Sequence, residues 1–334
     1  MAGCGLDVGT SFIVLATDNE GNIQYKDFRD AFYTIKPTTP VATKMIEKGL
    51  SGKVFIKDND GSFILLGKDA IEKAIERNDT AKRPMYRGVV SSKEKDAKRI
   101  LAFILKEVVG TSSEPNQKLV FCVPAQPVDQ EDDDFDVGYH EDVVKTVLSE
   151  CGYDARSINE AEALCYAELG EEDYTGIGIS CGAGMTNVCI MLNGEPTVVF
   201  STTKSGDWVD RMSAVATGEP DSVVQAEKEG GGFKVGQPNT NPVLSAVASY
   251  YERLIEYTAK QLSFALSNCK SLPKFKNPIT IVIAGGTSQA DGYVEELTKQ
   301  LQLNNFPLQI KEIKHSSDPL HAVAKGCLIA SNVL

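Results

Sequence analysis

Two glycine-containing turns carry the residues of this chain that are best suited to chemistry. A turn with glycine between two buried strands lets backbone N–H groups approach a ligand closely, because no Cβ intervenes. Two such turns facing each other could cradle the phosphates of a nucleotide, with Thr and Ser hydroxyls as additional donors. Either turn alone favours a plain hairpin slightly, but the pair favours phosphate binding. The turns read Asp7-Val8-Gly9-Thr10-Ser11 and Ser180-Cys181-Gly182-Ala183-Gly184-Met185-Thr186.

Two further features extend this interpretation. Asp7 stands at the end of its predicted strand, where its carboxylate could hold a hydrated Mg²⁺ ion near the phosphates. The segment Gly285-Gly286-Thr287-Ser288 directly follows a buried strand and leads into a helix. It therefore suits the adenosine or α-phosphate side of a nucleotide.

The turns must be positioned by buried strands, and short apolar strands alternate with amphipathic helices along the whole chain. Residues 5–8 and 12–17 predict a strand pair around the first turn, and residues 176–180 and 187–192 predict a second pair. Each half continues with a strand–helix–strand–helix run. The sequence thus predicts an α/β duplication whose two halves place both turns at one cleft. Residues 22–80 are polar and irregular, apart from strands predicted near Val54–Ile56 and Phe63–Leu66 and a helix predicted over Lys68–Arg77, and residues 217–241 are rich in Gly, Pro and acid.

Composition narrows the function classes. The 334 residues carry 34 Lys and Arg against 46 Asp and Glu, a formal charge of −12, which argues against nucleic acid or an anionic membrane as the main partner. No apolar run reaches the ~20 residues that cross a bilayer, and no basic leader precedes the first strand. Eight scattered Cys without a Cys-x-x-Cys pair indicate buried thiols in a reducing cytoplasm. With three His and no His/Cys cluster, a transition-metal site is not expected.

Eight segments match a known set of motifs in the correct order. They are Asp7–Ser11, Arg83–Val90 (like RPMKDGVI), Phe121–Pro124 (ending in Val-Pro), Ile158–Ala163 (like NEP-x-A-A), Ile179–Asn187, Ser205–Asp210 (like GGD-x-x-D), Gln225–Glu229 (like AE-x-IK) and Ile283–Ser288. This set resembles the actin, sugar-kinase and heat-shock-chaperone ATPase superfamily. The Arg83–Val90 segment makes it most similar to the bacterial actins such as MreB and MamK.

The resemblance implies duplicated actin-like (ribonuclease H-like) domains that flank a nucleotide cleft. Residues 1–150 with 316–334 are expected to form domain I, whose small subdomain IB covers about residues 28–80. Residues 151–315 are expected to form domain II. Gly285 follows Asp207 by only 285 − 207 = 78 positions, so the second small subdomain (IIB) is expected to be reduced to about residues 212–242.

The resemblance also implies site residues, with ATP or ADP and Mg²⁺ as the ligands. Glu160 would orient the attacking water, although a helix-start acid that complements the helix dipole fits its position almost as well. Asp207 would contact the phosphates or a Mg²⁺-bound water, or serve as an N-cap. Asp7 would hold the metal and support catalysis. The implied nucleotide contacts are Gly9, Thr10, Ser11, Gly182, Ala183, Gly184, Met185, Thr186, Gly206, Asp207, Glu227 (at the ribose), Gly285, Gly286 and Thr287.

The chain departs from the family pattern in its second phosphate motif. Ser180 stands where the family has Asp, and Met185-Thr186-Asn187 replaces a Thr-Thr-Asp ending. We therefore expect nucleotide binding with slow hydrolysis. We also expect Ser180→Asp to increase phosphate release by tightening the Mg²⁺ shell.

These observations predict a cytoplasmic actin-like protein that polymerises into filaments in an ATP-dependent way. The alternative is a monomeric ATP-driven switch or chaperone-like ATPase that acts through a partner; a sugar kinase would need a catalytic Asp that does not stand out. The acidic loop 129–136 predicts a solvated loop, or else a docking site for a basic protein partner.

Overall fold

The computed structural model describes residues 3–130, 135–270 and 272–334. Strands and helices alternate through them. The strands are β1 (Cys4–Val8), β2 (Phe12–Asn19), β3 (Asn22–Arg29), β4 (Phe32–Ile35), β5 (Phe55–Lys57), β6 (Phe63–Leu66), β7 (Met85–Tyr86), β8 (Val89–Val90), β9 (Gln117–Val123), β10 (Tyr153–Asn159), β11 (Gly176–Cys181), β12 (Thr186–Leu192), β13 (Glu195–Thr202), β14 (Ile279–Ala284) and β15 (Ile310–His315). The α-helices are α1 (Pro40–Gly49), α2 (Lys68–Glu76), α3 (Ala97–Val109), α4 (Val137–Glu150), α5 (Glu160–Glu168), α6 (Gly206–Thr217), α7 (Asp221–Gly230), α8 (Pro242–Asn268), α9 (Tyr293–Leu303) and α10 (Ala322–Val333).

Two five-stranded sheets repeat one topology. The first has the order β10-β9-β1-β2-β3 and the second β13-β12-β11-β14-β15. In each sheet three antiparallel strands are followed by two parallel ones. The predicted α/β duplication is therefore confirmed.

The helices α10 and α5 lie between the two sheets. α10 packs on β1 and β9, whereas α5 packs on β11 and β12, and the two helices contact each other. They approach so closely that a Cβ on Gly326 would lie 1.8 Å from the Ala163 carbonyl oxygen. The helices α3 and α4 bury apolar side chains in the core of the first sheet, and α6, α7, α8 and α9 do so in the core of the second. Each sheet is covered on both faces, which explains why its central strands are continuous apolar runs.

The small subdomains differ between the halves. A three-stranded sheet, β4-β6-β5, is inserted into the first half together with α1 and α2. Between β13 and β14 the described residues form α6, α7 and α8 and contain no strand. The second insertion is thus smaller, as the spacing of the motifs predicts.

Several elements differ from the sequence-based expectation. β3, β4 and α1 lie in the stretch expected to be irregular, and α7 lies in the segment rich in Gly, Pro and acid. No helix in the described ranges is both long enough and apolar enough to span a membrane.

Candidate functional site

The first turn joins β1 and β2 and is held by backbone and side-chain hydrogen bonds. The Gly9 N–H donates to the Phe12 carbonyl at 3.0 Å. Thr10 is buried, and its hydroxyl accepts a hydrogen bond from the Gly88 N–H at 2.9 Å. The Ser11 hydroxyl accepts from the Arg29 guanidinium at 2.6 Å. The turn is therefore fixed on both sides by residues distant in the sequence.

The second turn joins β11 and β12 and directly approaches the first. The Gly182 N–H donates to the Met185 carbonyl at 3.0 Å. A Cβ on Gly184 would lie 2.5 Å from the Thr10 hydroxyl oxygen and 3.1 Å from the Gly88 nitrogen. Only glycine fits at position 184 without a shift, so the two turns face each other as the duplication predicts.

The segment after β14 packs against the second turn. Gly285 has a φ of +92°, and a Cβ there would lie 2.3 Å from the Cys181 carbonyl oxygen. The Thr287 hydroxyl donates to the Gly182 carbonyl at 2.7 Å, and Gly286 begins the 3₁₀ turn that contains Thr287. The predicted adenosine and phosphate motifs are thus adjacent.

The start of α6 completes this group. The Ser205 hydroxyl donates to the Gly182 carbonyl at 2.6 Å and accepts from the Thr186 hydroxyl at 3.2 Å. The Gly206 N–H approaches the Gly182 carbonyl at 3.4 Å, and the Asp207 N–H donates to the Ala183 carbonyl at 2.8 Å. The second turn is consequently surrounded by backbone and hydroxyl groups from three separate segments.

Glu160 is the first residue of α5 and points at the second turn. Asn159 caps the helix with its side-chain oxygen. One carboxylate oxygen of Glu160 accepts from the Ser180 hydroxyl at 2.6 Å, and the other accepts from the Asn187 amide at 2.8 Å. The first of these oxygens would lie 3.8 Å from a Cβ on Gly182. Two of the positions at which the chain departs from the family motif, Ser180 and Asn187, therefore hold the Glu160 carboxylate.

Asp7 is the second carboxylate of the site. Its side chain accepts a hydrogen bond from the Cys122 thiol at 3.1 Å. Burial raises the pKa of Asp7 above its ordinary value, and the thiol hydrogen bond and the charge of His321 oppose this rise. Burial and the negative charge of Asp7 likewise raise the pKa of Glu160, against the effect of the Ser180 hydroxyl. Two neighbouring carboxylates of this kind are stabilised as anions by a cation, and carboxylate oxygen is a ligand type that Mg²⁺ prefers.

Asp207 is not a free carboxylate. Both of its oxygens accept from the Arg83 guanidinium at 2.9 Å. The N-cap of α6 is Ser205, so Asp207 lies in the first helical turn and the alternative of an N-cap is wrong. Its contact with the second turn runs through its backbone N–H.

Glu227, predicted at the ribose, lies on α7. It accepts from the Asn241 amide at 3.2 Å and lines a groove of about 510 Å³ with Ile75 and Val223. On the same helix, Lys228 pairs with Asp210 of α6 at 2.8 Å. α7 therefore turns position 228, rather than 227, toward α6.

Sequence reasoning missed the roles of Arg29, Arg83 and Cys122. Arg83 lies inside a segment that was recognised only as a motif. Arg29 ends a polar strand and Cys122 sits in an apolar one, and neither position carries a local signal of its contact with the site.

The acidic loop is only partly described. Asp129 is bound within the fold, since it accepts from the Thr203 N–H at 2.9 Å and from its hydroxyl at 2.9 Å. Asp136 caps α4 by accepting from the Tyr139 N–H at 2.8 Å. Residues 131–134 lie outside the described residues, and the predicted partner site at 129–136 stays a prediction. Within the described part of the chain, no group of three or more His, Cys, Asp or Glu side chains is placed to hold a metal ion.

Comparisons with known proteins agree with this architecture. The chain is similar to a MamK double helical filament structure at 19% identity and a TM-score of 0.75, covering 99% of this chain and 98% of that one. It is similar to MreB 5 of Spiroplasma citri bound to AMPPNP at 16% identity and a TM-score of 0.68, covering 99% and 96%. The ethanolamine utilization protein EutJ from Carboxydothermus hydrogenoformans matches at 16% identity and a TM-score of 0.57, covering 98% and 90%. A comparison with curated proteins finds no match.

These structures confirm the actin-like fold and the resemblance to bacterial actins. At such identities the likeness concerns the fold. The Volactin family model matches residues 1–331, and the chain therefore belongs to the Volactin family.

Proposed function

We propose that this chain is an ATP-binding, actin-like filament protein that hydrolyses ATP slowly. The observation that carries the proposal is the Glu160 carboxylate, which Ser180 and Asn187 hold over the second turn while that turn meets the first at Gly184 and Thr10. Two glycine turns in contact, with a fixed carboxylate beside them, match the requirements for binding and hydrolysing a polyphosphate.

In this proposal the backbone N–H groups and hydroxyls of both turns bind the phosphates. Asp7 would hold Mg²⁺, which neutralises phosphate charge when bound. Glu160 orients a water for attack on the terminal phosphate, since positioning is the main contribution that a protein makes to phosphoryl transfer. Ser180 and Asn187 keep Glu160 in place. Because neutral side chains replace the usual carboxylates there, we infer that turnover is slow.

Filament formation is supported by the relatives. One similar structure is a MamK double helical filament, and another is a non-polymerising MamK mutant bound to AMPPNP. We propose that this chain assembles likewise when ATP is bound, and that hydrolysis loosens the assembly. We also propose that residues 1–150 and 316–334 move as one domain, because α10 packs on β1 and β9.

The central test is Glu160→Gln. We expect ATP affinity within a few-fold of the parent and hydrolysis lowered by about 10–1000-fold, because a positioning carboxylate acts mainly in the transition state. Phosphate release, ATP titration and pelleting should be measured together, and the mutant filaments should persist after ATP addition.

Glu162→Gln is the matched control. Glu162 lies on the same helix two residues away and closes its capping box, a role that Gln also fulfils. Normal hydrolysis by Glu160→Gln would show that Glu160 is only a helix-start acid. Hydrolysis by a parent that never pellets would favour the monomeric switch instead.

A further inference from the structure

Two arginines of the first half pair with helices of the second half. One guanidinium nitrogen of Arg29 donates to both oxygens of Glu229 on α7, at 2.7 and 2.8 Å. Arg83 pairs in the same way with Asp207 at the start of α6. Gln225 links the two pairs, donating to Glu229 at 2.8 Å and accepting from Arg83 at 3.4 Å. A continuous polar chain thus connects the halves of the molecule.

Arg29 also touches the first turn. Its other terminal nitrogen donates to the Ser11 hydroxyl at 2.6 Å, and its guanidinium lies 4.2 Å from the centre of the Phe12 ring. The Arg29 side chain is only 16% exposed, whereas its partner Glu229 is 46% exposed. The cation is therefore fixed beside the turn, and its anionic partner faces water.

The unequal exposure decides which partner can be replaced. An ion pair with a solvated carboxylate is weak, because water screens the charges. A guanidinium binds phosphate through two parallel hydrogen bonds, and a polyphosphate carries more charge than one carboxylate. A phosphate held at Ser11 would thus compete effectively with Glu229 for Arg29.

We propose that Arg29 is a phosphate-binding residue, and that Glu229 occupies the position on the Arg29 guanidinium that a phosphate takes when a nucleotide binds. This inference rests on the proposed nucleotide function. Binding of a nucleoside triphosphate exchanges Glu229 for a phosphate oxygen, which breaks the ion pair between α7 and the first half and leaves the Arg83–Gln225 hydrogen bond. Occupancy of the cleft is thereby coupled to the position of α7.

The test uses the two partners of the same pair. If Glu229 competes with phosphate, Glu229→Gln tightens ATP binding by about 2- to 5-fold, the range expected for removing a screened pair. Arg29→Gln weakens ATP binding by about 10- to 100-fold, since it removes charge-assisted hydrogen bonds. The ATP affinity of Arg29→Lys falls between those of the parent and Arg29→Gln, because Lys keeps the positive charge but cannot form two parallel hydrogen bonds to a phosphate. Adenosine, which has no phosphate, binds all variants equally.

A purely structural pair gives a different result, because breaking it from either side has the same effect. ATP affinities that shift in the same direction in Glu229→Gln and Arg29→Gln, or that do not change, overturn the inference while leaving the nucleotide function intact. A parent that binds no ATP refutes the proposed function and this inference with it. Arg99→Gln, which breaks an ion pair with Asp58 away from both turns, controls for general loss of an arginine, and thermal unfolding checks that each variant folds.

Discussion

Replacing Ser180 with Asp restores the carboxylate of the family motif, and the structure reverses the effect expected from the sequence. The Ser180 hydroxyl lies 2.6 Å from a carboxylate oxygen of Glu160 and is 1% exposed. An Asp at this position would place a second carboxylate against the first. Two unit charges about 4 Å apart repel by roughly 4 kcal/mol at the effective dielectric constant of about 20 that suits such sites.

That energy corresponds to roughly 3 pKa units, and burial already raises the pKa of Glu160. One of the two carboxyl groups should therefore be protonated at neutral pH, so that Glu160 loses its fixed anionic form. We expect Ser180→Asp to lower phosphate release at pH 7 by about tenfold or more. Burial and the negative charge of Asp7 raise the pKa of Glu160 to about 8, and roughly 3 further pKa units would keep the shared proton bound at pH 9. The rate of Ser180→Asp should therefore not recover between pH 6 and 9.

Phosphate release by the parent, Ser180→Asp and Ser180→Asn should be compared between pH 6 and 9. Asn has the size of Asp without its charge, so it separates steric from electrostatic effects. A Ser180→Asp protein that releases phosphate faster than the parent at pH 7 would refute this reasoning. It would show that a second carboxylate near the metal outweighs repulsion from Glu160.

Two further predictions concern the metal and the core. Asp7→Asn should abolish the Mg²⁺ dependence of ATP binding, measured by calorimetric titration with and without the ion; an unchanged dependence would place the metal elsewhere. His140 is fully buried, neither ring nitrogen has a hydrogen-bond partner among the described residues, and burial lowers its pKa from 6.5 to about 4. The unfolded chain therefore binds a proton that the folded chain does not, and stability should fall by about 2 kcal/mol between pH 7 and pH 5. In His140→Leu, the free energy of unfolding measured with urea should lose that part of its pH dependence. The same change in unfolding free energy between pH 7 and pH 5 in both proteins would contradict the prediction.

Much of the fold follows from local sequence patterns. β1, β2, β11 and β12 are short apolar runs on either side of glycine turns, and β14 is buried along its whole length. Such strands lie inside the sheets, where hydrophobic burial dominates, and the sequence pattern alone identifies them. The order of the motifs predicts the duplication for the same reason.

The missed elements lack this signal. β3 is an edge strand with exposed, largely polar residues, and α1 buries no residue. Their conformation depends on backbone pairing with β2 and on packing within the small subdomain, and neither leaves a clear apolar pattern. The sequence does not predict α7, because glycines flank it. The packing of α7 on α6 places Lys228, rather than Glu227, against α6.

For the site, the sequence alone determined which residues form the two turns, because each turn is a contiguous segment with glycine at required positions. Only the tertiary structure decided what these turns and their carboxylates touch. Glu160 meets Ser180 and Asn187 across 20 and 27 residues, and Arg29 meets Glu229 across 200. Such pairs form where the packing of α5 and the approach of the two halves bring distant side chains together. A local sequence pattern cannot predict such pairs, because their geometry depends on how both sheets pack in the folded molecule.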